Sequence, residues 1–119
     1  MKLKTERLSD RSFMIRLQGE LDIYGAGRLE AKIKEIQEAA DELVLDLSGL
    51  EFMDGSGLRA IVEADNRARS KGSSLKIVEA SWPVHKVFRL TGFDQRLQFV
   101  PSSGLDAQAE DSPGGLPAT

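Results

Sequence analysis

Between Ser12 and Gly19 the chain alternates: Phe13, Ile15 and Leu17 fall on one side and Met14, Arg16 and Gln18 on the other. This is the period-two pattern of a strand with one strongly apolar face. A shorter strand over Leu3 to Leu8 is placed to pair with it as a hairpin through Ser9-Asp10-Arg11. The period then changes. Leu29, Ile33, Ile36 and Ala40 recur at helical spacing and leave Arg28, Lys32, Lys34, Glu35 and Glu38 to solvent, which predicts an amphipathic helix. Leu43-Val44-Leu45-Asp46-Leu47 is nearly continuous in apolar character, as a central strand covered on both faces requires. A loop over Ser48 to Asp54 leads into a second helix. There Leu58, Ile61, Val62 and Asp65 repeat beside Ala60, Ala64 and Ala68, and a basic last turn stops at Lys71-Gly72. Leu75, Ile77 and Val78 predict another strand, Trp82 to Leu90 a short helix with Pro83 in its first turn, and Leu97-Gln98-Phe99 a closing strand.

Strands alternating with helices in this order imply an α/β fold: a central mixed β-sheet of four or five strands, joined by right-handed crossovers, with helices packed on it. The expected domain spans residues 1–100. Residues 101–119 carry Asp106, Glu110 and Asp111 among Pro, Ser, Gly, Ala and Gln with no Lys or Arg, so they read as a disordered acidic tail that cannot offset its ordering entropy.

Composition narrows the function classes. The 119 residues include no cysteine, which removes thiolate nucleophiles, disulfide frameworks and cysteine zinc sites and agrees with a reducing, cytoplasmic setting. Sixteen basic against 19 acidic side chains give a net charge of -3, with no overall attraction for nucleic acid or an anionic membrane. No apolar run approaches the roughly 20 residues of a membrane span, and Met1 to Arg7 has no apolar stretch behind its basic start. Neither a metal nor a cofactor is expected. His85 is the only histidine; it falls in the short helix and reads as a surface or flanking residue, and no Walker A lysine pattern occurs. Trp82, Val84, Val87 and Phe88 read as core packing rather than a ligand-facing patch.

The segment Leu45-Asp46-Leu47-Ser48-Gly49-Leu50-Glu51-Phe52-Met53-Asp54-Gly55-Ser56-Gly57-Leu58 is the most informative. Asp54 is a natural N-cap for the second helix, and a phosphate on Ser56 is expected to meet unpaired backbone N–H groups at the positive end of the helix dipole. Glycine on both sides of Ser56 is expected to leave its hydroxyl open to an approaching enzyme. Taken alone, Ser56 reads first as an ordinary first-turn serine, and Asp54 chiefly as a helix cap. Gly55-Ser-Gly57-Leu-Arg-Ala60 also satisfies the dinucleotide pattern G-x-G-x-x-G/A, with Glu79 at the end of the following strand. That fingerprint needs its first glycine in the turn directly after a strand, whereas here Ser48 to Asp54 intervene.

The same segment resembles the signature of the STAS domain, in particular of the bacterial anti-sigma factor antagonists, in which a strand ending Asp-Leu-Ser is followed by Phe-Met-Asp-Ser/Thr-Ser-Gly-Leu at a helix start. The likeness extends to Gly19-Glu20-Leu21-Asp22 and to Leu90-Thr91-Gly92-Phe93. Gly55 departs from the family's usual serine or threonine, leaving one hydroxyl in the turn. The resemblance implies a non-enzymatic switch that binds and inhibits an anti-sigma factor serine kinase and so releases a sigma factor. Phosphorylation of Ser56 would turn it off, and a metal-dependent serine/threonine phosphatase would reset it. It also implies partner contact by Asp22, Tyr24, Asp54, Gly55, Ser56 and Gly57. Two alternatives are a STAS subunit of a transporter or scaffold that is never phosphorylated and, more remotely, a dinucleotide-binding protein.

Overall fold

A computed structural model describes residues 1–101. Five strands form one sheet in sequential order: β1 (Lys2–Ser9), β2 (Ser12–Leu21), β3 (Glu42–Met53), β4 (Ser74–Val78) and β5 (Phe99–Val100). The hairpin pair β1 and β2 is antiparallel, and every later neighbour is parallel. Three helices make the crossovers: α1 (Ile23–Gln37), α2 (Gly55–Lys71) and α3 (Trp82–Thr91), the last followed by a 3-10 turn at Phe93–Gln95. This is the mixed α/β arrangement that the alternation of periods implies.

Period-two alternation sorts the strand residues between two faces. Ile15, Leu17, Leu45, Leu47 and Ile77 face the helices and pack with Leu29, Ile33, Ile61, Val84 and Phe88 in the main core. Met14, Val44 and Val78 form a smaller cluster on the other face, with Val100 against it. Each fully buried Leu, Ile or Phe in such a core contributes about 1.5–3 kcal/mol relative to exposure.

Polar bridges join the helices. Buried Gln37, at the end of α1, donates to the carbonyl of Ala64 at 3.0 Å and accepts from Arg67 Nε at 3.1 Å, while Lys71 Nζ reaches its backbone carbonyl. Asp65, a buried carboxylate on α2, is paired with Arg69 Nε at 2.7 Å. A lone buried charge is costly, so this ion pair is what lets an acid occupy a core-facing position.

Three sequence expectations change. The segment Ser48 to Asp54 is not a loop: β3 continues to Met53, paired with β2 through two register shifts as far as Leu21↔Met53. The shifts break the simple alternation that marks a strand in sequence. Trp82 is 55% exposed rather than in the core, because Val84 and Phe88 supply the buried side of α3. His85 is not a surface residue; it is half-buried edge-on to Phe99 at 4.9 Å, with Nδ1 shielded from solvent. The expected tail lies outside the described residues from Ser102 onward.

Candidate functional site

Two parallel strands end side by side, and each hands over to a helix through an aspartate. Leu21 and Met53 are register partners, and the N–H of Asp54 donates to the carbonyl of Leu21 at 3.2 Å. Asp22 caps α1 with its Oδ1, accepting from the N–H of Tyr24 at 3.1 Å and of Gly25 at 3.0 Å. Asp54 caps α2 with its Oδ1, accepting from the N–H of Ser56 at 3.0 Å and of Gly57 at 3.2 Å. The cap backbones nearly coincide, at φ -104°, ψ -169° and φ -104°, ψ -172°. Both positive helix ends therefore lie at one end of the sheet, where β2 and β3 finish, each carrying a carboxylate.

Ser56 adds one bond to the second cap. Its hydroxyl donates to Oδ1 of Asp54 at 2.5 Å. That hydroxyl bond is the main reason the Asp54 carboxyl sits below its ordinary 3.8; the N–H bonds from Gly57 and Ser56 add to it, and partial desolvation opposes it. The carboxylate is thus ionised at neutral pH, and it fixes the hydroxyl hydrogen while leaving the oxygen lone pairs free.

Here the geometry corrects an expectation. The N–H groups of Ser56 and Gly57, the natural seat for a phosphate at this helix start, are already taken by Asp54. A phosphate on Ser56 would replace the hydroxyl donor and stand beside an anion rather than on free N–H groups.

The two glycines beside Ser56 also have different roles. A Cβ on Gly55 would meet nothing within 4 Å, so this position is open. A Cβ on Gly57 would lie 2.7 Å from Leu21 Cγ and 2.9 Å from Met53 Cγ, so glycine here lets α2 sit against the strand ends. Access to the hydroxyl comes from Gly55; close packing comes from Gly57.

Ser56 opens onto a groove of about 540 Å³ between the first turns of α1 and α2, lined by Ile23, Ala26, Gly27, Arg59, Ala60 and Glu63 among others. Tyr24, 83% exposed, stands on the turn next to it, and Ile23 and Phe52 are exposed apolar side chains at the same end of the sheet. The structure therefore brings Asp22, Asp54, Gly55, Ser56 and Gly57 together, with Tyr24 exposed in the first turn of α1. The sequence reading missed Ile23 and Arg59. An apolar residue directly after a cap, and an arginine one helical turn beyond Ser56, were the available signals.

The dinucleotide reading loses its seat, though not for the reason the sequence offered. Gly55 follows the strand closely after all, but both glycines lie within α2, and the described glycines with positive φ are Gly19, Gly72 and Gly92. The tight glycine turn that cradles a pyrophosphate is not formed by Gly55 or Gly57. Among the described residues no cluster of His, Asp and Glu is placed to hold a metal ion, and no helix is long and apolar enough to cross a membrane.

Comparison with known proteins places this geometry among relatives. A family model described as "Mlab, STAS domain" matches residues 5–101. An "Anti-sigma F factor antagonist" of Paenibacillus polymyxa is 30% identical over 95 residues, spanning 77% of this chain and 81% of the relative. The crystal structure of an anti-sigma factor antagonist from Mycobacterium paratuberculosis superposes with a TM-score of 0.77 at 25% identity, covering 89% of this chain and 92% of the other. The Bacillus cell fate determinant SpoIIAA in its phosphorylated form shares the fold at 22% identity, with a TM-score of 0.71 over 92% of this chain and all of the other.

Proposed function

We propose, from the premise that this chain belongs to the STAS domain family and is related there to anti-sigma factor antagonists, that it is itself an antagonist whose binding is governed by Ser56. It acts by binding rather than by turning over a substrate. Its partner is an anti-sigma factor with serine kinase activity, and a metal-dependent serine/threonine phosphatase restores the free hydroxyl. The action belongs in the cytoplasm, where sigma factors work. The observation that carries this reading is the 2.5 Å bond from Ser56 to Asp54 at the mouth of an open groove lined by exposed Ile23.

In the unmodified state the surface offers apolar contacts from Ile23 and Ala26 beside a neutral hydroxyl, with Tyr24 exposed in the same turn as Ile23. Such a surface suits a protein partner whose contact centre is apolar and whose rim is polar. In the transfer step the Ser56 oxygen attacks the γ-phosphorus of ATP held by the partner. A new O–P bond forms, the bond to the β-phosphate oxygen breaks, ADP leaves, and the hydroxyl proton passes to solvent by way of the Asp54 carboxylate that already accepts it.

The product carries about -1.5 to -2 charges at pH 7 beside the Asp54 carboxylate. With no hydroxyl hydrogen left, the phosphate and Asp54 repel, and the phosphate turns toward the groove. Burying that charge against an apolar partner surface costs on the order of 3–5 kcal/mol, a loss of about 10²-fold or more in affinity. Release follows.

Incubating the chain with its kinase and ATP, then mapping phosphate by mass spectrometry, tests the assignment. Phosphate on Ser56, and none on the Ser56→Ala chain, is the expected outcome. Phosphate on Ser48, Ser81 or another serine with Ser56 bare would refute it.

A further inference from the structure

The first two turns of α2 set a cation beside Ser56 that the fold itself does not use. Arg59 is exposed and lies three residues beyond Ser56, a spacing that brings two side chains onto one helical face with their Cβ atoms about 5–6 Å apart. Helical side chains lean toward the N-terminus of their own helix, so Arg59 leans back over the turn that carries Gly55 and Ser56. The hollows on either side of that turn agree. Arg59 and Gly55 together line both the groove of about 540 Å³ on the α1 side and a hollow of about 430 Å³ on the Phe93 side. A Cβ on Gly55 would meet nothing within 4 Å, so a group added at this turn is unobstructed.

Arg59 has no acid of its own. Among the described residues it forms no ion pair, whereas Arg69 pairs with Asp65 at 2.7 Å and Lys34 with Glu30 at 3.7 Å, each across one helical turn. Sequence order gives the reason. In both of those pairs the acid precedes the cation by four residues, whereas Arg59 precedes Glu63, the weaker arrangement on a helix. Among the described residues that line the groove with Ser56, Arg59 is the one cation, accompanied by Glu30 and Glu63. A phosphate on Ser56 finds the helix N–H groups taken by Asp54 and brings about -1.5 to -2 charges next to that carboxylate. Its charge exceeds that of Glu63, and its oxygens can accept two parallel N–H bonds from a guanidinium.

We propose that Arg59 is the receptor for the phosphate on Ser56: its guanidinium holds the phosphate over Gly55, at the mouth of the groove and away from Asp54. This rests on the reading of Ser56 as the modified residue, and it adds where the modification stands. Held by Arg59, the phosphate lies across the contact surface instead of turning out into solvent. The Asp54 cap keeps its N–H bonds, so the modification changes the surface without loosening α2.

The test uses the full-length chain with phosphoserine inserted at position 56 during translation, and follows the second ionisation of its phosphate by phosphorus NMR at low salt. Three chains are compared: the one with native Arg59, Arg59→Gln and Arg59→Lys. A guanidinium on the dianion should set the midpoint about 0.5 lower in pH than in Arg59→Gln, and Arg59→Lys, which keeps the charge without the planar fork, should fall between them. The Nε–H resonance of Arg59 should move with the same midpoint, a response that a purely structural arginine does not give. Midpoints equal within about 0.1 for native Arg59 and Arg59→Gln overturn the proposal. A midpoint that differs while the Nε–H resonance stays still assigns the effect to the general field of the domain and overturns it as well. Because the phosphoserine enters during translation, the result does not depend on whether the kinase modifies Ser56, which the phosphate mapping described above decides.

Discussion

The hydroxyl of Ser56 donates to Oδ1 of Asp54 at 2.5 Å, and the same oxygen accepts the N–H groups of Ser56 and Gly57. One carboxylate oxygen thus caps the helix and holds the group that is proposed to be modified. Stability and the proposed switching meet at Asp54, and substitutions there separate them. Asp54→Asn keeps an acceptor for the N–H groups and should melt close to the wild type. Asp54→Ala removes the cap and should melt lower. Asp54→Asn also removes the anion beside the phosphate, so the phosphorylated Asp54→Asn chain should lose less partner affinity than the phosphorylated wild type. Thermal melts and titration calorimetry on the same samples distinguish the two effects.

The two glycines give an internal comparison. Gly57→Ala forces a methyl to within 3 Å of Leu21 and Met53 and should cost about 1–3 kcal/mol, lowering the melting temperature by roughly 4–8 °C per kcal/mol. Gly55→Ala meets no neighbour and should leave stability within about 0.5 kcal/mol of the wild type. Equal melting temperatures for the two variants would show that α2 is not held against the strand ends as described.

How much of this was legible in the sequence depends on where periodicity is clean. Phe13 to Leu17 and Leu29 to Ile36 announce a strand and a helix because each keeps its period through the interior of its element, although Ala40, which continues the helical spacing, lies beyond the end of α1 at Gln37. From Ser48 to Met53 the strand is written in broken alternation, since β2 and β3 shift register twice, and the pattern there reads as a loop. The site residues were legible because a cap-and-serine motif is local in sequence. The groove wall from α1 was not: Ile23 shares a groove with Ser56 only because Leu21 pairs with Met53 across the sheet. The aspartate that made Ser56 noticeable also hid a consequence. That it already occupies the helix N–H groups is a matter of side-chain geometry, which spacing does not reveal.

Acid should weaken the fold with a definite sign. Asp54 is held below its ordinary value chiefly by Ser56, Asp41 by its hydrogen bond from Arg11, and Glu42 by Lys76 and Ser12. A carboxylate depressed in the folded state contributes stability that is fully present above its unfolded value and lost as pH falls through the folded one. Melting temperature should therefore be nearly flat across pH 5–8 as far as these groups are concerned. It should then decline through and below the ordinary carboxylate values of 3.8 and 4.5. A decline already present well above pH 5 would contradict this attribution to the three carboxylates.

The Ser56→Asp chain should reproduce the switch only in part. One carboxylate carries about half the charge of phosphoserine and fewer acceptor oxygens, so its affinity for the partner should fall between those of the unmodified and phosphorylated chains. The Ser56→Ala chain loses the hydroxyl bond to Asp54 but keeps the capping N–H bonds, and it should bind the partner as the unmodified chain does. Competition binding of the variants against one another gives the order directly.

The central claim is that charge at Ser56, placed beside Asp54 and against the groove, releases the partner. Its most direct test is titration calorimetry of the anti-sigma factor with two samples of the full-length chain, unmodified and stoichiometrically phosphorylated at Ser56. A loss of about 10²-fold or more in affinity on phosphorylation, with the fold unchanged by circular dichroism, is the predicted result. Affinities equal within twofold for the two samples would contradict the account.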